Sequence, residues 1–166
     1  MGKIFILDGY NVIYRIPELT SKLKESLAAA RGALAMHVAR WKRSRADAQV
    51  VIVFDGRDSD LMDYSRTNIS GIDCIFTHDR EAADDRIIGM VRDSEDPSDV
   101  TVISHDNRVR SGSRAHGARV EYPAFLQKSG KRTVNPPTRA NKVFNAKKDR
   151  KVTDYYEKYL RGKGTI

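Results

Sequence analysis

Apolar residues fall along the chain in short unbroken runs separated by amphipathic stretches. Lys3–Leu7, Gln49–Phe54, Ile72–Phe76 and Val100–Ser104 each read as a strand apolar on both faces, and Ala118–Glu121 reads as a fifth. Runs of that length, closed by Asp, Gly or Asn, are what a sheet buried on both faces requires. Between the first two, Leu23, Leu27, Ala30, Leu34, Val38 and Trp41 recur every three or four residues. They predict one long helix, capped by Thr20 or Ser21, whose basic end (Arg40, Lys42, Arg43, Arg45) suits the negative pole of its dipole. A second helix is predicted over Glu81–Arg92, with Ile87, Ile88 and Val91 turned inward, followed by a polar loop over Ser94–Ser98. Strands alternating with helices in this order predict an α/β fold with a central parallel sheet and right-handed crossovers.

The length, 166 residues, fits one domain of ordinary size, and 40% hydrophobic residues supply a core. A single cysteine, Cys74, excludes an internal disulfide and accords with a reducing compartment. The N-terminal apolar run is interrupted at Asp8, so it reads as neither signal peptide nor membrane span, and the expectation is a cytoplasmic protein without a membrane partner. The net charge of +8 is unevenly spread. Residues 1–127 carry 18 Lys and Arg against 19 Asp and Glu; residues 128–166 carry 12 against 3. We therefore expect a near-neutral domain over 1–127 and a basic extension over 128–166, with a short helix at Val152–Leu160. Such a segment seeks a polyanion, nucleic acid first. Lys131, Arg132, Arg139, Lys142, Lys147, Lys148, Arg150 and Lys151 would meet phosphates without reading sequence. Tyr155, Tyr156 and Tyr159 would stack on bases or pack inward.

The candidate chemistry lies where the strands stop. The first runs into Asp8-Gly9-Tyr10-Asn11, the second ends in Asp55-Gly56, and the fourth ends in Ser104-His105-Asp106. After the third comes Arg80-Glu81-Ala82-Ala83-Asp84-Asp85, opening the second helix. In a parallel sheet these points share the carboxyl edge, where open α/β folds bind ligands. Singly, an Asp after a strand is an ordinary turn residue and an Asp in a first helical turn complements the dipole. Together they would repel one another unless a cation or proton intervened. Oxygen ligands without a Cys/His cluster favour Mg²⁺ or Mn²⁺, and divalent metal beside a phosphate-binding surface is the equipment of phosphodiester hydrolysis.

At these same residues the sequence resembles the YacP-like NYN family. Asp8–Ile13 (DGYNVI) is similar to its opening motif and Val53–Gly56 to its second. Phe76-Thr77 followed by Glu81–Asp85 (EAADD) is similar to its third, and Ile103–Asp106 to its late strand end. Gly117-Ala118 is similar to a later Gly-Ala pair. The resemblance spans roughly residues 3–127; Arg80, Ala82 and His105 depart from the usual pattern without removing an acid. It implies a PIN-like, Rossmann-like three-layer fold with a central parallel sheet. It implies Mg²⁺ or Mn²⁺ held by Asp8, Asp84 and Asp106, with Asp85 able to exchange roles with Asp84. Asn11 would orient a water or phosphate and Asp55 would support the ligands. Apart from the resemblance, Glu81 is either an outer support or, as we favour, a plain helix-start acid, and Arg80, itself a departure, either touches phosphate or screens the acids. The implied activity is endoribonucleolytic, on single-stranded RNA, with the ribosome as a partner. The competing expectation is a catalytically silent RNA- or ribosome-binding module. An aspartyl-phosphate phosphatase is disfavoured, because Tyr10 stands where the second Asp of its motif would be.

Overall fold

The computed structural model describes residues 2–56, 66–78 and 81–124. Arg80, the basic residues from Lys131 to Lys151, the Val152–Leu160 helix and the boundary near Lys128 lie outside the described residues. Among those described, six strands form one sheet: β1 (Ile4–Asp8), β2 (Gln49–Phe54), β3 (Arg66–Ile69), β4 (Ile72–Phe76), β5 (Val100–Ile103) and β6 (Arg119–Glu121). Their order is β3-β4-β2-β1-β5-β6, and every adjacent pair is parallel except β3 with β4. The helices are α1 (Gly9–Arg15), α2 (Pro17–Lys22), α3 (Leu27–Lys42), α4 (Ala83–Arg92) and α5 (Asn107–Ala115). The mostly parallel α/β sheet expected from the sequence is present.

Strand alternation divides the core between the two faces of the sheet. Ile6, Val53, Ile75, Val100 and Val102 pack against Ala83, Ile87 and Val91 of α4 and Val109 of α5. The residues between them turn the other way. Phe5 meets Trp41 of α3 edge-on at 4.8 Å, and Phe54 sits between Tyr10 of α1 and Phe76 at 5.1 and 5.3 Å. Cys74 is buried on β4, as its apolar surroundings in the sequence suggest.

Three elements differ from the sequence reading. The single long helix is broken: α2 ends at Lys22, and α3 starts afresh at Leu27, capped by Ser26, whose Oγ accepts from the Ala29 amide at 2.9 Å. Thr20 caps nothing; its hydroxyl donates to the carbonyls of Ile13 and Ile16 and ties α1 to α2. Strand β3 was not anticipated, because its sequence, RTNI, has no apolar run. It is an exposed edge strand held by the Ser70-Gly71 turn, both residues at positive φ (52° and 81°), and by Arg66–Asp73 at 2.7 Å. Helix α5 was also missed, since only Val109 and Ser113 of its nine residues are buried.

Two glycines separate space from propensity. A Cβ on Gly9 would lie 2.4 Å from the Phe54 ring and 2.9 Å from the Val53 carbonyl, so α1 approaches β2 as closely as it does only without one. A Cβ on Gly32, inside α3, would meet nothing within 4 Å. Gly9→Ala should destabilise by about 1–3 kcal/mol through overpacking, whereas Gly32→Ala should stabilise by about 0.5–1 kcal/mol through helix propensity. Thermal melts of the two variants should move in opposite directions; a shared direction would refute this account.

Candidate active site

The chain runs from β1 outward to β2 and β4 on one side, then crosses back to β5 on the other. The crevice between the carboxyl ends of β1 and β5 is thus the point where strand order reverses, the usual ligand position in open parallel sheets. Asp8 closes β1 there. Alternation puts it on the same face as Ile6, the face covered by α4 and α5. Asp8 is 7% exposed, and the fully buried Ser104 at the end of β5 donates its hydroxyl to Asp8 Oδ2 at 2.8 Å. The same Ser104 Oγ accepts the backbone N–H of Asp106 at 3.0 Å. One hydroxyl therefore couples two of the predicted acids.

The remaining acids enter from the two helix starts. Asp106 is the N-cap of α5, its Oδ1 accepting from the amides of Arg108 and Val109 at 2.8 and 3.0 Å. Asp84 and Asp85 occupy the first turn of α4. Burial pushes the Asp8 carboxyl up to about 7; the Ser104 hydrogen bond opposes this, the charges of Asp84 and Asp106 add to it, and the Asn11 backbone amide opposes it. Asp84 is also raised, first by burial, then by Asp106, with Arg108 opposing and Asp55 adding. Asp8 thus feels the charges of Asp84 and Asp106, and Asp84 those of Asp106 and Asp55.

Asp55 Oδ1 accepts the Thr77 hydroxyl at 3.2 Å, linking the ends of β2 and β4. Asn11 Oδ1 accepts the His105 amide at 2.7 Å, so Asn11 fixes the β5–α5 connection to α1. Asp85 pairs with Arg108, which also reaches Asp84 Oδ2 at 3.4 Å. Glu81 pairs instead with Arg86 at 3.6 Å and is not among the carboxylates perturbing Asp8 or Asp84 most. His105 is exposed and His78 lies at the surface after β4. Sequence reasoning missed Ser104, Thr77 and Arg108. A hydroxyl has no signal of its own, but both hydroxyls directly follow strands in the segments already singled out. Arg108 sits two residues after Asp106, where a cation facing the α4 acids is easily taken for solvated charge.

The donor chemistry fits a hard divalent cation: carboxylate oxygens, one of them buried, in mutual repulsion. No group of three or more His, Cys, Asp or Glu side chains among the described residues is already arranged to hold a metal. The negative charge is offset instead by Arg108 and by the raised proton affinity of Asp8.

That balance makes stability depend on pH. The unfolded Asp8 titrates near 3.8 and the folded one at about 7, so the native state favours the neutral carboxyl. Its contribution is fully present below about pH 4 and is lost as pH rises towards 7, on the order of 4 kcal/mol in total. In EDTA, the protein should melt at higher temperature at pH 5 than at pH 8, and Asp8→Asn should remove most of the difference. An unchanged pH slope in that variant would refute the burial of charge at Asp8.

Comparison with known proteins bears on the whole chain. The family described as YacP-like NYN domain matches residues 5–163. The protein YacP of Bacillus subtilis strain 168, described as uncharacterized, is 33% identical over 84 residues, 51% of this chain and 48% of its own. The match thus spans about half the length of this curated relative. The crystal structure of a point mutant of Rae1 (YacP) from Bacillus subtilis superposes with a TM-score of 0.62 at 20% identity, covering 98% of this chain and 86% of that one. A second Rae1 (YacP) structure gives 0.54 at 20% identity, covering 96% and 83%. These structures share the fold. With the family match running from the first strand through most of the basic segment, the chain belongs to the YacP-like NYN domain family.

Proposed function

We propose that this protein is a divalent-metal-dependent endoribonuclease that hydrolyses phosphodiester bonds in single-stranded RNA, in the cytoplasm. Its family is one of PIN-like nucleases. The observation that carries the reading is the buried Asp8, joined to Ser104 and raised to about 7 by burial and by the charges of Asp84 and Asp106. Mg²⁺ or Mn²⁺ would be held by Asp8, Asp84 and Asp106, with Asp85 beside them. A cation there supplies activation of the attacking water and neutralisation of charge at the phosphoryl group. The protein's own part is positional. Ser104 holds Asp8 and Asp106 in one register, Asn11 anchors the loop that carries Asp106, and Thr77 holds Asp55. Association with the ribosome belongs to the same proposal and rests on the resemblance and on the basic segment 128–166. Arg80 and the lysines and arginines from Lys131 to Lys151 would serve it through phosphate contacts.

The second reading, a silent RNA- or ribosome-binding module, is favoured by Arg108. Its guanidinium already offsets Asp84 and Asp85 without a metal. Cleavage of a mixed single-stranded RNA separates the two. Wild type should cut with Mn²⁺ or Mg²⁺ and not with EDTA, and Asp8→Ala and Asp106→Ala should not cut at all. RNA binding without any cleavage, on and off ribosomes, would give the second reading.

Ser104 adds a graded test. Removing a group that orients a metal ligand costs roughly 10–100-fold in activity or metal affinity. Ser104→Ala should fall in that range by both RNA cleavage and Mn²⁺ titration calorimetry. Wild-type values in both would show that the Asp8–Ser104 link is only structural.

A further inference from the structure

The acid cluster has an aromatic neighbour that none of the chemistry above uses. Tyr122 follows β6 and is 47% exposed, one of two large hydrophobic side chains in that state among the described residues. Its position is fixed by the sheet. Ile103 pairs with Glu121, and the Ser104 amide donates to the Glu121 carbonyl at 3.3 Å. Tyr122 therefore lies beside His105, between the two residues, Ser104 and Asp106, that build the cluster. The rings of His105 and Tyr122 are 4.9 Å apart at 59°. The Arg110 guanidinium, from α5, lies 4.0 Å from the Tyr122 ring centre.

Three features make this more than a surface tyrosine. The ring is held by a cation and a second ring, so presenting it costs little further ordering. Nearly half of it remains open to solvent. The surrounding segment is basic, with Arg108, Arg110, Arg114 and Arg119 against Asp106 and Glu121. An exposed ring with a guanidinium beside it, in a basic setting and next to phosphodiester chemistry, suits an unpaired nucleobase. Stacking then supplies affinity that tolerates any base, while the arginines attract the backbone.

We propose that His105, Arg110 and Tyr122 form a stacking subsite for one unpaired base of a single-stranded RNA whose phosphate lies at the Asp8–Asp84–Asp106 cluster. The proposal rests on the nuclease reading for the identity of its substrate. The subsite explains a preference for single strands, because a base within a duplex has no face to offer.

The test uses the full chain with Asp8→Asn to prevent turnover. The probe is an end-labelled single-stranded RNA of mixed sequence, with derivatives carrying one abasic nucleotide at successive positions. Binding is read by fluorescence anisotropy, and wild-type cleavage of the same RNA is measured in parallel. One abasic position should weaken binding about tenfold, within the range for base–aromatic stacking. Adding Tyr122→Ala should weaken binding to intact RNA by a similar factor and erase the effect of that position. Adding Tyr122→Phe should leave both unchanged, since stacking needs no hydroxyl. Melting temperatures should stay together, because Tyr122 is exposed. Binding within twofold after Tyr122→Ala, with the abasic profile intact, would overturn the subsite, as would equal losses in the Ala and Phe variants. Cleavage by wild type alongside that result would leave the nuclease reading standing. A Tyr122-dependent profile without any wild-type cleavage, on or off ribosomes, would keep the subsite and remove the nuclease reading. Absence of RNA binding by the parent would overturn the subsite outright.

Discussion

The hydrogen bond from Ser104 to Asp8 spans 96 positions of sequence and joins the two strands at which the sheet changes direction. It ties the buried acid of β1 to the start of α5. A buried carboxylate is costly unless its charge is met by donors or a cation. Ser104 is one such donor, and it is fully buried with it. Because the same oxygen accepts the Asp106 amide, the start of α5 cannot shift without loosening Asp8. Asn11 closes the loop from the other side by holding the His105 amide. The motif beginning at Asp8 and the strand end at Ser104–Asp106 are thereby one structural object, though far apart in the chain.

Crowded carboxylates have few ways to coexist, and two are visible. One is a raised proton affinity, at Asp8 and Asp84. The other is the Arg108 guanidinium across Asp84 and Asp85. The proposed divalent cation would enter the same contest against both. Arg108 is largely exposed, so its pairing is worth little by itself and it can leave at small cost. At Asp8 the cation would compete with a proton, whose affinity is raised first by burial and further by the neighbouring acids.

The sequence showed most plainly what repeats at short range. The four buried strands and α4 emerged within a residue or two, because apolar runs between turn formers leave few alternatives. Asp8, Asp55, Asp84 and Asp106 were legible because each follows a strand or opens a helix, and topology alone gathers such points. Long-range information was not legible. Strand β3 pairs through backbone and through Arg66, Asn68 and Asp73, so it carries no hydrophobic pattern. The break before α3 depends on Ser26 outcompeting Thr20 as a cap, and Thr20 loses because carbonyls of Ile13 and Ile16 lie within its reach. Glu81 looks like the acids beside it, yet it pairs with Arg86; only the direction in which α4 begins distinguishes them.

The first turn of α5 shows how one connection serves several ends. Asp106 caps the helix, Arg108 turns to the α4 acids, and Arg110 turns to Tyr122. Residues two apart on a helix point about 200° away from each other. Two arginines spaced in this way cannot reach the same target, so one lies towards the acid cluster and the other towards the far edge of the sheet at β6. Ser104 and Asn11 set the orientation of that turn, and through it the placing of both cations. A change at Ser104 would therefore be felt at Tyr122 as well as at Asp8, although no hydrogen bond joins the Ser104 side chain to the aromatic group among the described residues.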